Sequence, residues 1–295
     1  MSHDLKVVGA GHLGVRIALL WQQKFPDAAI YLTTRTNNEQ RTAKWKAQGF
    51  HVSSREQEES GEVEIVKVPF VVFCAPPTGN PNYPETIQHS IDVDREISSN
   101  GGAYLFTSST GVYAENSGGV VNEKSAVASP LSDRQSTQLK VEQNVLASCG
   151  GVVLRYAGLY SKLRGAHNYW LRYEGERLTR PSRPNGLINL VHYDDAARCA
   201  VEVFLKSPSL TGSERLFVVS DGVAISRADI CAAALKCKTY SNNVSPDFQG
   251  GPGVDGKRCD TSSVTNVIGW KPLFQTFAGF MENQYEDEMD IEMFL

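Results

Sequence analysis

Ten residues near the amino end restrict the fold more than any other part of the chain. Leu5 to Gly14, LKVVGAGHLG, runs from a short apolar strand directly into Gly9-x-Gly11-x-x-Gly14. Glycine at the first position permits a tight turn, at the second it leaves bare backbone for a pyrophosphate, and at the third it lets the next helix lie close to the strand. The spacing of Leu13, Ile17, Leu20 and Trp21 predicts a helix from about His12 to Lys24, with Pro26 as its stop. The free N–H groups and positive dipole end of such a helix face the turn. The stretch therefore predicts a dinucleotide site at Gly9, Gly11, His12, Leu13 and Gly14; the plainer alternative is a tight strand-to-helix turn.

Strands and helices alternate from there. Ala29 to Thr34 is a second strand ending at Arg35. An acidic residue at this strand end would take the ribose hydroxyls, whereas arginine accommodates a 2′-phosphate. NADP is therefore the expected cofactor and NAD the other option, with a solvated loop charge as the bland reading of Arg35. Thr36 to Glu39 has a capping-box pattern opening a helix that ends at Gly49, Phe50 to Ser53 is a third strand, and acidic Arg55 to Glu64 a solvated loop. Pro69 to Ala75 is a fourth strand closing into Pro76, Pro84 to Ser99 is helical in pattern, and Ala103 to Thr107 is a fifth strand running into Ser108, Ser109 and on to Tyr113. Asp133 to Cys149 is a helix and Gly151 to Arg155 a sixth strand. This alternation predicts an α/β fold with a doubly wound parallel sheet. Gly14, Arg35, Pro76 and Ser109 all fall past strand carboxyl ends, where such sheets bind ligands.

Beyond Tyr160 the texture changes, which divides the chain into a nucleotide-binding core over 1–160 and a mixed segment over 161–295. The second part supplies a smaller substrate lobe and the last strands and helices of the core. Arginines 164, 172, 177, 180 and 183 could grip an anionic substrate or could be surface charges. Asn189 to Val191 precedes an aspartate expected to cap a helix running to Phe204. Leu216 to Val219 is another strand, Ser226 to Leu235 another helix, and acidic Asp287 to Leu295 a frayed tail or a partner contact.

Bulk properties narrow the function classes. The 295 residues carry a net charge of −4, which gives no basic field for nucleic acid or an anionic membrane. The six cysteines are scattered without a CxxC or a metal-like cluster, as suits a reducing compartment. No metal is expected. The first strand begins almost at the start and no apolar run approaches membrane length, so the expected location is cytoplasmic.

GAGHLG, TSSTGVY, LRYAGLY, INLVHYDDAA, RLFVVSDG and GKRCDTSSVTNVIGWKP together resemble the extended short-chain dehydrogenase/reductase superfamily of the NAD-dependent epimerase/dehydratase type. The short glycine motif, the TTR strand end and the FCAPP strand exit look most like its atypical, YeeZ-like branch. The resemblance implies a Rossmann domain, a nicotinamide dinucleotide, a small C-terminal substrate lobe, and further cofactor contacts from Ala75, Pro76, Ser108, Gln138 and Tyr156. It also implies a small-molecule substrate. Superfamily members often pair through the helix after the fifth strand, which implies a homodimer.

One departure bears on mechanism. Typical members carry a serine after the fifth strand, then a tyrosine, then a lysine four residues later whose ammonium lowers the phenol's pKa. Ser109 matches the serine, but the tyrosine position falls on Arg134 and the lysine position on Gln138. Arginine stays protonated, and glutamine's amide can at most bond a ribose hydroxyl. Shifting the alignment to use Lys140 as the lysine puts Ser136 at the tyrosine position. The catalytic candidates are thus Ser109 and Tyr113, with Tyr156, Tyr160, Tyr193 and His192 as other displaced donors. The expected function is an NADP(H)-dependent oxidoreductase or an epimerase/dehydratase-like enzyme; a non-catalytic NADP(H) sensor or scaffold is the alternative, and a sugar-nucleotide binder a third.

Overall fold

The computed structural model describes residues 2–36, 38–96, 101–175 and 177–286. The first half winds as β1 (Leu5–Val8), α1 (His12–Lys24), β2 (Ile30–Thr34), α2 (Glu39–Ala47), β3 (His51–Ser54), α3 (Arg55–Glu59), β4 (Phe70–Phe73), α4 (Tyr83–Val93) and β5 (Ala103–Ser109). After β6 (Ser117–Val121) come α5 (Asp133–Ala147), β7 (Gly151–Tyr156), β8 (Gly158–Tyr160), α6 (Ala166–Trp170), β9 (Thr179–Arg180), β10 (Leu187–His192) and α7 (Tyr193–Lys206). The remainder is β11 (Leu216–Val219), β12 (Ala224–Ser226), α8 (Arg227–Lys236), β13 (Asp247–Phe248), β14 (Gly256–Cys259) and α9 (Phe277–Glu282).

Seven parallel strands form the main sheet in the order β11-β7-β5-β4-β1-β2-β3. All four residues of β1 are buried, as a strand covered on both faces requires. On one face Trp21 of α1 and Phe204 of α7 pack over Leu5 and Val7; on the other, Ile87 of α4 and Val141 and Val145 of α5 pack over Val71 and Phe73. The order reverses between β1 and β4. Val8 stands opposite Thr33 on one side and Phe73 on the other, so the three chains leave the sheet side by side. The crevice past those ends is where a sheet of this topology binds ligands.

A three-stranded sheet, β12-β10-β8, carries a second core of Tyr160, Trp170, Leu190, Ile230, Phe277 and Phe280. The chain after Tyr160 also returns to the main sheet, since β11 pairs with β7 and α7 lies against α1. Arg16 of α1 donates from Nε to Oδ1 of Asp194 at 2.5 Å, a buried ion pair joining those two helices. Lys6, facing out of β1 into the protein, holds Asp94 at 2.7 Å and Glu58 at 3.0 Å.

Several boundaries differ from the sequence reading. The cap of α2 is Asn38, whose side chain accepts from the Arg41 amide, rather than Thr36. The acidic stretch after Ser54 is partly helical: Ser54 and Gln57 exchange the two bonds of a capping box, and Glu58 turns inward to Lys6. The run from Pro84 stops at Val93, because Asp94 folds its carboxylate onto Lys6 and its carbonyl accepts from Val68; Ser98 and Ser99 lie outside the described residues. At α7 the cap is His192, accepting from the Asp194 amide at 3.2 Å, and the two aspartates occupy the first turn instead. The tail from Asp287 lies outside the described residues. No expectation covered β6 and β14, a parallel pair between segments far apart in sequence.

Candidate functional site

The three glycines of the opening turn differ in what surrounds them. Gly9 has φ of +95°, and a Cβ there would stand 2.3 Å from the Ala75 amide nitrogen, so the turn lies directly on the exit of β4. A Cβ on Gly14 would stand 2.6 Å from the Gly9 oxygen and 2.8 Å from Val7 Cγ1, which is the close helix-to-strand approach. Around Gly11 a Cβ would meet nothing within 4 Å. Gly11 is also the cap of α1 and has no side chain to accept from the first-turn amides. Bare backbone, first-turn N–H groups with no side-chain cap, and open space therefore coincide, which is the physical specification of an anion cradle. Leu13 is buried in the core and offers this cradle only its amide, while the half-buried His12 ring lies 5.7 Å from that of Tyr193.

From Gly9 and Gly11 a groove of about 660 Å³ runs along the end of β2 to α2 and α3. Ala75 and Pro76 line its opposite wall. Exposed Arg35 donates from Nη1 to the Thr78 carbonyl at 3.2 Å, so its side chain bridges the two walls. Three more lining residues, Arg41, Trp45 and Arg55, were absent from the sequence expectations. Arg41 and Trp45 are spaced one helical turn apart, and that spacing was the available signal.

At the end of β5 the structure brings Ser108, Ser109 and Gln138 together. Gln138 Nε2 donates to Ser108 Oγ at 2.6 Å and to the Ser109 carbonyl at 3.3 Å. The Ser108 hydroxyl donates in turn to Glu142, which Arg155 grips with Nη2 at 2.6 Å. Ser109 Oγ accepts from the Gly111 amide at 3.1 Å, leaving its proton for another acceptor. Tyr113 stands apart from this surface: it is 3 % exposed, lies 4.9 Å under the Arg155 guanidinium, and burial pushes its phenol up to about 12. Tyr156 is likewise enclosed and donates to the Ala196 carbonyl at 2.8 Å. Tyr160 and His192 pack edge to face within the second core. Tyr193 is half-buried beside His12. Arg134 and Ser136 are exposed on α5, and exposed Lys140 pairs with Glu85 at 3.1 Å.

A cation that sequence reasoning passed over stands at the same strand end. Lys257 Nζ donates toward the carbonyl oxygens of Tyr113 at 3.3 Å and Thr110 at 3.5 Å, in the turn that follows Ser109. Asn189 holds its backbone by donating to the Lys257 carbonyl and accepting from the Cys259 amide, both at 2.9 Å. Burial lowers the Lys257 pKa from its usual value. The long-range pairing of β14 with β6, together with these bonds to β10, brings it there.

Among the described residues no group of three or more His, Cys, Asp or Glu could hold a metal ion, and no helix is long and apolar enough to cross a membrane.

No family model and no curated protein matches the chain by sequence. Solved structures do match by shape. UDP-glucuronic acid 4-epimerase from Bacillus cereus, in complex with UDP-glucuronic acid and NAD, has 16 % identity and a TM-score of 0.71, over 96 % of this chain and 98 % of that one. dTDP-glucose 4,6-dehydratase from Bacillus anthracis, in complex with NAD, has 14 % identity and a TM-score of 0.72, over 96 % of both chains. UDP-N-acetylglucosamine 4-epimerase from Bacillus cereus has 16 % identity and a TM-score of 0.68, over 95 % of this chain and 97 % of that one. The chain therefore has the Rossmann-type, doubly wound fold of these proteins along nearly its whole length.

Proposed function

We propose that the protein is an NADP(H)-binding member of the extended short-chain dehydrogenase/reductase superfamily, acting as an oxidoreductase or epimerase/dehydratase-like enzyme on a small carbonyl or sugar-nucleotide substrate. One observation carries this reading: the empty surroundings of Gly11 at an uncapped helix start, opening on the groove past β1 and β4. Gly9 to Gly14 would hold the diphosphate, and Ala75 and Pro76 would wall the adenosine side. Arg35, Arg41 and Arg55 give that end a positive field that suits a 2′-phosphate. The NAD in two of the neighbouring structures, and the UDP-glucuronic acid in one, support the cofactor and substrate classes.

When bound, the nicotinamide supplies hydride chemistry. Ser109 Oγ, held by the Gly111 amide, would donate a hydrogen bond to a substrate oxygen and so orient it. Gln138 has committed its amide N–H groups to Ser108 and Ser109, which leaves its carbonyl oxygen to accept from a ribose hydroxyl.

A second reading, a sensor or scaffold that binds NADP(H) without turnover, is favoured by one observation. The positions that match the family's tyrosine and lysine hold exposed Arg134 and hydrogen-bonded Gln138, and neither passes a proton. Calorimetric titration with NADPH and NADH, followed by a panel of carbonyls and 4-oxo sugars monitored by nicotinamide absorbance, tests both. Binding with turnover that Ser109→Ala abolishes supports the enzyme; binding without turnover across the panel supports the sensor. No binding of either nucleotide at millimolar concentration overturns the cofactor assignment.

A further inference from the structure

The smaller lobe carries a face that nothing among the described residues covers. Leu163, Tyr169 and Tyr173 expose 46, 58 and 46 % of their surface there. Arginines accompany them. Arg172 lies 5.4 Å from the Tyr173 ring, and Arg180 lies 4.3 Å from the Tyr169 ring while donating from Nη2 to the Tyr169 carbonyl at 3.0 Å. Arg164 is exposed beside Leu163. Among the described residues none of these three arginines pairs with a carboxylate. Tyrosine and arginine are the side chains that most often anchor a protein interface, and guanidinium groups set among exposed rings suit an occupant rich in carboxylates.

Such a segment begins beside this face. Glu286, the last described residue, pairs with Lys162, the neighbour of Leu163. Gln284 accepts from the Lys238 amide and donates to the Lys236 carbonyl, both at 2.9 Å, which fixes the direction of approach. The sequence that follows Glu286 is DEMDIEMFL, in which Asp287, Glu288, Asp290 and Glu292 are acidic and no residue is basic. Met289, Ile291 and Met293 alternate with Asp290 and Glu292, so the segment offers carboxylates to arginines and apolar side chains to Leu163 and the tyrosines. We propose that residues 287–295 dock in cis on the face formed by Leu163, Arg164, Tyr169, Arg172, Tyr173 and Arg180. Reach permits it: nine extended residues span about 30 Å, and α6, whose flanks carry the face, has five residues and a length of about 7.5 Å. Exposed ion pairs are individually weak, but the tether at Glu286 makes the docking intramolecular, at an effective concentration in the millimolar range. Glu174 and Glu176 fall on the same stretch of sequence, and arginines 164, 172, 177, 180 and 183 outnumber them. These arginines then meet the chain's own carboxylates before any anionic substrate. The proposal does not depend on the cofactor reading.

Limited trypsin digestion reads the docking in the full chain, because cleavage tracks the fraction of time a site is uncovered. The unmodified protein is compared with a full-length variant of neutral tail, Asp287→Asn, Glu288→Gln, Asp290→Asn and Glu292→Gln together. Cleavage after Arg164 and Arg172 should be at least about fivefold faster in the variant, the factor expected when the segment is docked about four-fifths of the time. Cleavage after exposed Lys67 should keep one rate in both, and an unchanged melting temperature shows that the variant is folded. Salt at about 0.5 M should bring the unmodified protein toward the variant, since screening weakens exposed pairs. A synthetic peptide of residues 287–295, added to the variant at millimolar concentration, should restore the protection, and dilution of the unmodified protein should not remove it. Equal rates in the two proteins, indifference to salt, or no protection by the peptide overturns the proposal. Protection that disappears on dilution overturns it as well, and assigns the face to a second copy of the chain.

Discussion

Gly11 offers the sharpest separation of binding from folding. It has a negative φ of −97° and open space where a Cβ would go, so a larger residue meets neither backbone strain nor a neighbour. Gly11→Val should therefore lower the melting temperature by only about 2–4 °C, because Gly11 makes no side-chain cap bond that could be lost and a β-branched residue at a helix cap costs on the order of 1 kcal/mol. It should nevertheless lower NADPH affinity by at least about a hundredfold, since its branched side chain would occupy the diphosphate's place; an unchanged affinity would remove the cradle. Gly14→Ala behaves in the opposite way. Its Cβ would sit 2.6 Å from the Gly9 oxygen, and a loss of roughly 1–3 kcal/mol is expected from overpacking, read as a lowered denaturation midpoint. These glycines were legible in the sequence because the motif's spacing implies a task for each. Arg41 and Trp45 were passed over, because their one-turn spacing gains a meaning only once α2 is folded against the groove.

Elements built by local signals could be read in advance. The boundaries of α1 matched those expected from its apolar spacing, whereas α3 was hidden because charge density masked the Ser54 and Gln57 capping box. The parallel pairing of β6 with β14 was illegible for another reason: the glycine-rich strand gains its partner from a segment more than a hundred residues away, and no local pattern encodes that meeting. Lys257 came with it. The turn after β11 carries a different consequence. Asp221 is 9 % exposed there, and burial raises its carboxyl from the usual 3.8 to about 7, against donors from the Val223 and Phe277 amides and with Asp195 adding repulsion. A raised carboxyl favours the neutral folded form. Below pH of about 4 Asp221 is protonated in both states and costs nothing; as the pH rises toward about 7 the unfolded chain ionises first and that advantage is lost. Asp221→Asn keeps an oxygen for the Val223 amide and cannot ionise. Its melting temperature should exceed that of the unmodified protein more at pH 8 than at pH 4.5, measured by scanning calorimetry across that interval. A difference that does not vary with pH would show that Asp221 ionises freely in the fold.

The two cores are joined by α7, which pins α1 through Asp194 and receives the Leu273 and Phe274 amides on Asp195, at 2.7 and 3.0 Å. The groove proposed for the nucleotide lies on the main-sheet side, past the ends of β1, β2 and β4. Binding there stabilises the folded state by mass action, about 2.7 kcal/mol at a hundredfold excess over Kd. Because the sheet draws β11 from the far end of the sequence, and α7 ties the second core to the first, that gain is shared by the whole chain rather than by its first half. NADPH at this excess should thus raise a single, undivided thermal transition by roughly 5 °C, the shift expected when a gain of that size is set against the unfolding entropy of a chain this long. Gly11→Val should show no shift at the same concentration, and Arg41→Met should shift with NADH as the unmodified protein does. Two separate transitions, of which NADPH moves only one, would mean that α7 does not couple the two cores.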